Sequence, residues 1–244
     1  MEMNAAERKL HDAACSFARS NRKRIAKEFT DRAVYLPEDE PVSVFMAGCA
    51  GAGKTEAAIE LIERFDSGVG TRVMRIDPDD LRQHFVGYTG DNSWIFQLPA
   101  TILVEKIHDL ALKQKQSFLL DGTLSNLDKA VENIERSLHK KRSCTVLYVY
   151  QKPELAWQFV VAREKAEGRR IPPEVFVEQF FETRNVANAL KEKFGKDLKV
   201  DLLVKNTDGT DRSYSANVSK IENHLHDPYD RATLLKVILS GAKV

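Results

Sequence analysis

From residue 42 onward, short apolar runs alternate with longer amphipathic stretches. The runs at 42–47, 72–76, 118–121, 145–150 and 202–205 have the length and the Val, Ile, Leu and Phe content of strands. Between them, residues 55–65, 93–115, 126–140, 152–167 and 173–194 carry helical periodicity, with Pro99 kinking or delaying the second of these. Upstream, residues 5–29 predict one helix whose stripe of Leu10, Ala14, Phe17, Ile25 and Phe29 is interrupted near Asn21. Strand–helix alternation predicts an α/β fold, with a mostly parallel sheet covered by helices on both faces. In such sheets ligands bind at the carboxyl ends of the strands.

The first strand runs into Gly48-Cys49-Ala50-Gly51-Ala52-Gly53-Lys54-Thr55, which fits G-x-x-x-x-G-K-[ST], the phosphate-binding loop of P-loop NTPases. The order strand, glycine loop, helix is what the physics requires. Glycines let successive amides point into one concavity, and the helix N-terminus adds partial positive charge. Gly48, Gly51, Ala52, Gly53, Lys54, Thr55 and Glu56 are therefore the candidate ATP-binding residues. Lys54 would reach the β- and γ-phosphates, and Thr55 would bind Mg²⁺.

Composition narrows the rest. Among 244 residues, 43% are hydrophobic and 30% charged, as in a soluble globular protein. A net charge of +1 gives no electrostatic case for nucleic acid as the main partner. The basic run 19–24 is read as a solvated helix face, with an anionic partner surface as the alternative. No apolar run is long enough to span a membrane, and the first residues lack the apolar core of a secretion signal. Three widely spaced cysteines, Cys15, Cys49 and Cys144, suit a reducing cytoplasm. The expected organisation is a helical segment and connector over 1–40, a P-loop domain over 41–210 and an extension over 211–244 packed on that domain. A turn is expected at 206–209, and a short helix closing the chain.

Two strand ends carry carboxylates. In Ile76-Asp77-Pro78-Asp79-Asp80, Pro78 suits the first helical position, which makes Asp77 the N-cap and leaves Asp80 favoured by the helix dipole. Asp79 is the least explained by capping. It is read as a base at the ligand edge of the sheet, or else as helix-dipole decoration. The run ending in Asp121-Gly122-Thr123 resembles a Walker B element, whose carboxylate helps hold Mg²⁺. No second acid follows Asp121, which favours transfer to a substrate over plain hydrolysis. The basic, Gly-punctuated segment 162–173 reads as a lid able to bring arginines over a nucleotide, or as a solvated helix end. The Asn-Lys-x-Asp motif of GTPases and the protein-kinase loops are absent.

Together these segments resemble the zeta toxin family of bacterial toxin–antitoxin systems, P-loop kinases similar in fold to chloramphenicol phosphotransferase. The resemblance runs from about residue 42 to 208 and implies phosphorylation of the 3′-hydroxyl of UDP-N-acetylglucosamine, with an antitoxin partner. It makes Asp79 the catalytic base of the Ile-Asp-x-Asp motif. It places Glu105 and, at the strand end, Asp121 and Thr123 on the substrate side. It puts the phosphate-clamping arginines at Arg163 and at Arg169 or Arg170, with Arg170 favoured. Two departures stand out: Ala50 where the family usually has Pro, and Ser125 where its Gly-Thr-x-Arg motif has a substrate arginine. ATP binding thus carries over more firmly than the sugar. A polynucleotide kinase and a nucleotide-gated protein-interaction switch remain the alternatives, and an internal inhibitory role for the N-terminal helix is a further expectation.

Overall fold

The computed structural model describes residues 3–69, 72–168, 170–205, 212–225 and 228–241. The chain opens with α1 (Ala5–Phe29), an uninterrupted helix despite the broken stripe. A capping box starts it: Asn4 accepts from the Glu7 amide, and the Glu7 carboxylate accepts from the Asn4 amide. Its buried face is mostly small (Ala14, Cys15, Ala18 and Ala26 beside Ile25), so α1 can lie close against its neighbours. Arg19 to Arg24 are largely exposed, and Arg24 pairs with Glu28 at 2.7 Å, which fits a solvated face.

After a connector come β1 (Val42–Ala47), α2 (Lys54–Val69), β2 (Met74–Ile76), α3 (Pro78–Arg82), α4 (Gln97–Lys113), β3 (Phe118–Leu120) and α5 (Leu127–His139). Then follow β4 (Ser143–Tyr150), α6 (Pro153–Glu167), α7 (Pro173–Phe194), β5 (Leu198–Val204), β6 (Ser213–Ser215) and α8 (Arg231–Gly241). The sheet order is β2-β3-β1-β4-β5-β6. The pairings from β2 to β5 are parallel, and β6 adds antiparallel to β5. β1 and β4 are the central, nearly continuous apolar strands, as a sheet covered on both faces demands. Because β1 lies between β3 and β4, the chain leaves it toward one side and later returns to the other. The crevice at its carboxyl end is where such sheets bind ligands.

Pro99 does not interrupt α4, but the α-helix starts at Gln97 and not at 93, the later start that Pro99 led one to expect. A 3₁₀ turn at Ser93–Phe96 leads straight into the helix, and Pro99 sits in its first turn, where no amide donor is needed. β5 begins four residues before the predicted strand (at 198 instead of 202), and β6 was not predicted. The turn expected at 206–209 lies outside the described residues. At the amino edge of the sheet, buried Arg142 donates to Ser43 Oγ (2.7 Å), the Val42 carbonyl (2.8 Å) and the Gln116 carbonyl (2.6 Å). Gln116 in turn donates to the carbonyls of Thr30 and Tyr35, which ties the end of α1 to the sheet.

His108 of α4 is fully buried edge-on to Phe45 and Phe118, and neither ring nitrogen has a partner. Burial, helped by the charges of Arg136, Arg142 and Lys129, pushes its pKa down to about 3. The unfolded imidazole titrates near 6.5. The fold therefore keeps its full stability from this group above pH 6.5 and loses it as pH falls toward 3, at up to ~1.4 kcal/mol per pH unit. His108→Leu is expected to flatten that acid loss and to raise the melting temperature. Melting curves of both proteins between pH 7 and 4 check this; identical slopes would refute it.

Candidate functional site

The loop between β1 and α2 is shaped by backbone that only glycine tolerates comfortably. Gly48 has φ of +135° and Gly51 of +72°. A Cβ at Gly48 would run into the Val149 carbonyl oxygen, and one at Gly51 into the Ala156 carbonyl oxygen on α6. Gly51→Ala therefore meets both strain and a backbone clash, and strain of this kind costs roughly 1–3 kcal/mol. The expected result is ATP affinity weaker by about tenfold to a hundredfold, measured by calorimetry. Unchanged affinity would show that the loop is not the phosphate cradle.

Lys54 is the first residue of α2, followed by Thr55 and Glu56. Its ammonium donates to the carbonyls of Gly48 (2.9 Å) and Cys49 (2.7 Å), so the charge is folded over the loop. Ala52 is buried beneath. A second lysine, Lys205, comes from the carboxyl end of β5 and donates to the Gly53 carbonyl at 3.3 Å, with Glu56 Oε2 3.7 Å away. The sequence reading missed it. Its only signal was its place at the end of a parallel strand.

The ends of β2 and β3 form the other wall. Asp77 caps α3, accepting from the Asp79 amide at 2.7 Å. Burial, reinforced by the Asp121 and Asp79 carboxylates against the Arg75 guanidinium, raises its pKa to about 6. The sign is opposite to that of His108: Asp77 contributes stability below pH 3.8 and loses it as pH rises through about 6. Arg75, also missed, holds three carboxylates at once. It donates to Asp121 Oδ2 (3.0 and 3.2 Å), to Asp80 (3.1 Å) and to Asp77. Burial alone would lower its pKa, but Asp77 and Asp121 outweigh that and raise it.

Asp79 sits between two arginines. Its Oδ1 accepts from Arg82, and its Oδ2 lies 4.0 Å from Arg163 Nη2 on α6. Arg163 also bonds Glu167 at 3.1 Å. α6 ends at Gly168 in the left-handed region, and the Glu167 carbonyl and Gly168 lie against Gly90 and Asp91 in the loop after α3. The carboxyl end of α6 therefore packs against the loop that follows α3. Arg170 stands apart, with its side chain 76% exposed and Glu164 at 3.9 Å. Arg169, its rival in the sequence reading, lies outside the described residues.

Asp121 follows β3, and its amide donates to the Ile76 carbonyl at 2.9 Å, which stitches the two strand ends together. The Thr123 carbonyl accepts from the Gly48 amide at 3.4 Å, so this turn abuts the phosphate loop. Thr123 and Ser125 pair their hydroxyls at 3.2 Å. Glu105, on α4, is engaged across to α5, by Lys129 at 2.8 Å and Arg136 at 3.0 Å. The structure thus joins the loop, Asp79, Arg163, Asp121 and Thr123 at one sheet edge. Glu105 and Arg170 make their ion pairs elsewhere.

Among the described residues no group of three His, Cys, Asp or Glu side chains could hold a metal. That is compatible with Mg²⁺, which takes one or two protein oxygens and otherwise uses phosphate and water. The Thr55 hydroxyl and the Asp121 carboxylate are such hard oxygen donors.

Residues 25–219 match the family model described as zeta toxin. The chain belongs to the zeta toxin family. A search of curated proteins finds no match. Among solved structures, one from work on the PezAT chromosomal toxin–antitoxin system of Streptococcus pneumoniae superposes with a TM-score of 0.66 at 16% identity. The match covers 99% of this chain and 97% of that one. AvrRxo1-ORF1:AvrRxo1-ORF2 with sulphate ions gives 0.56 at 16% identity, over 96% and 85% of the chains. AvrRxo1-ORF1:-ORF2 with ATP gives 0.56 at 17% identity, over 86% and 66%. At these identities the likeness concerns the fold. Zeta toxin membership and the P-loop kinase fold together support an ATP-dependent phosphotransferase. Among the described residues no helix is long and apolar enough to cross a membrane.

Proposed function

We propose that this zeta toxin family member transfers the γ-phosphate of ATP to a hydroxyl of a small, nucleotide-sugar-like acceptor, with the 3′-hydroxyl of UDP-N-acetylglucosamine as the first candidate. The observation that carries the reading is one sheet edge presenting the glycine loop, a carboxylate at Asp79 and a lid arginine 4.0 Å from it. The first binds phosphate, the second meets a hydroxyl, and the third can neutralise the group in flight.

In this reading the loop amides and Lys54 hold the β- and γ-phosphates. An acceptor hydroxyl, set by Thr123, gives up its proton toward Asp79 as its oxygen bonds to the γ-phosphorus. The bond from that phosphorus to the β–γ bridging oxygen breaks, and ADP leaves. Arg163 and Arg170 stabilise the charge on the transferring group; Arg170 must swing from Glu164 to do so. Thr55 and Asp121 would hold Mg²⁺, which supplies charge neutralisation at the phosphates when bound. The transition state of such transfers is loose, so Asp79 contributes by orienting the hydroxyl as much as by taking its proton.

Solved neighbours come from toxin–antitoxin work and from an ORF1:ORF2 complex, which supports a protein antitoxin as partner for this chain too. Mass spectrometry of protein, Mg²⁺ and ATP with UDP-N-acetylglucosamine and a panel of other nucleotides, sugars and oligonucleotides tests the reading. A singly phosphorylated UDP-N-acetylglucosamine is expected. Phosphate on another small acceptor would relocate the substrate. ATP bound without any phosphorylated product would favour a nucleotide-gated switch.

A further inference from the structure

Arg82 closes α3, three residues after Asp79, and is 3% exposed. Its guanidinium is divided between two side chains. Nη1 donates to Asp79 Oδ1, and Nη2 donates to Gln97 Oε1 at 2.6 Å. Nε is buried with no partner. Gln97 is the first residue of α4, held in a helix that packs against α3. A line of three side chains thus runs from Gln97, exposed at the start of α4, through buried Arg82 to the carboxylate at the sheet edge.

We propose that Arg82, braced by Gln97, is a positioning residue that fixes the rotamer of Asp79 so that Oδ2 meets the acceptor hydroxyl. The inference rests on the kinase reading above. Spacing of i, i+3 brings the two side chains together on one helix face. With Oδ1 taken by Arg82, Oδ2 is the oxygen on the side of the lid and Arg163. The main chain that carries this carboxylate is held as well, because the Asp79 backbone amide donates to Asp77 Oδ1.

Energetics point the same way. A buried guanidinium pays a large desolvation cost, and here one donor stays unsatisfied while the carboxylate partner is 34% exposed. An apolar side chain of similar volume would serve the fold as well or better. What it would not supply is orientation, and small misplacements at a reacting centre are costly.

The test uses the full chain as Arg82→Met, Arg82→Lys and Gln97→Met. Arg82→Met is expected to lower kcat on the order of 10²-fold while KM for ATP and the melting temperature hold or the latter rises. Arg82→Lys should recover part of kcat, and Gln97→Met should show a weaker form of the loss. Wild-type kcat in Arg82→Met would overturn the inference, as would a loss tracking the melting temperature with no rescue by Lys. A crystal structure of Arg82→Met needs no acceptor: the Asp79 carboxylate should leave its wild-type rotamer, and a carboxylate that stays put overturns the inference. Absence of transfer by the wild-type protein to any acceptor would strike the kinase reading, and the crystallographic result would still decide the role of Arg82.

Discussion

Asp79→Ala is expected to lower kcat by ~10²–10⁴ and to leave ATP affinity nearly unchanged, the range for removing a general base that touches only the acceptor. Asp79 belongs to the β2–α3 junction, where it accepts from Arg82 and lies 4.0 Å from Arg163. None of those contacts builds the glycine loop. Calorimetry with ATP and steady-state rates with the acceptor separate the two effects. If ATP affinity collapsed along with kcat, Asp79 would be a structural part of the nucleotide site, and the base assignment would fall.

Lys54→Ala should produce the complementary pattern. Its ammonium now satisfies the carbonyls of Gly48 and Cys49, the groups nearest to where phosphates would lie. In the proposed reaction it would exchange carbonyl oxygens for phosphate oxygens, and the charge it provides would be needed most as the γ-phosphoryl departs. Loss of one such preorganised donor costs ~10²–10³ in kcat. Weaker ATP binding should accompany it, in contrast to Asp79→Ala. The side chain starts a helix and is only half-buried, so the fold should survive, as a far-UV spectrum would show. Full turnover in Lys54→Ala would mean that the loop binds no phosphate during the reaction.

The glycine loop was legible because its chemistry is local. Eight consecutive residues encode the positive φ values, the ammonium and the helix start. The alternating sheet was legible for the same reason, since each buried strand is a short apolar run. Asp77 as N-cap followed from Pro78 beside it. What stayed hidden depends on partners distant in the chain. Arg75 stands within an apolar strand and drew no reading, yet it neutralises Asp121, which lies 46 positions away. Lys205 reaches the Gly53 carbonyl across 152 positions. Arg82 drew no reading from the sequence, because its tie to Gln97 depends on how α3 meets α4. Glu105 became visible as a candidate only through the family resemblance, and the structure pairs it with Lys129 and Arg136 of α5. The antiparallel β6 carries too little apolar character to announce itself; it stays mostly exposed and is a strand through its pairing with β5.

The central claim is that the γ-phosphate leaves ATP for an acceptor hydroxyl and not for water. ³¹P NMR of wild-type protein and Asp79→Ala, each with Mg²⁺, ATP and UDP-N-acetylglucosamine, tests it most directly. The account predicts a new phosphate monoester resonance that grows in step with ADP in the wild type and is nearly absent in Asp79→Ala. ADP accompanied only by inorganic phosphate, or a monoester that forms equally fast without Asp79, would contradict it.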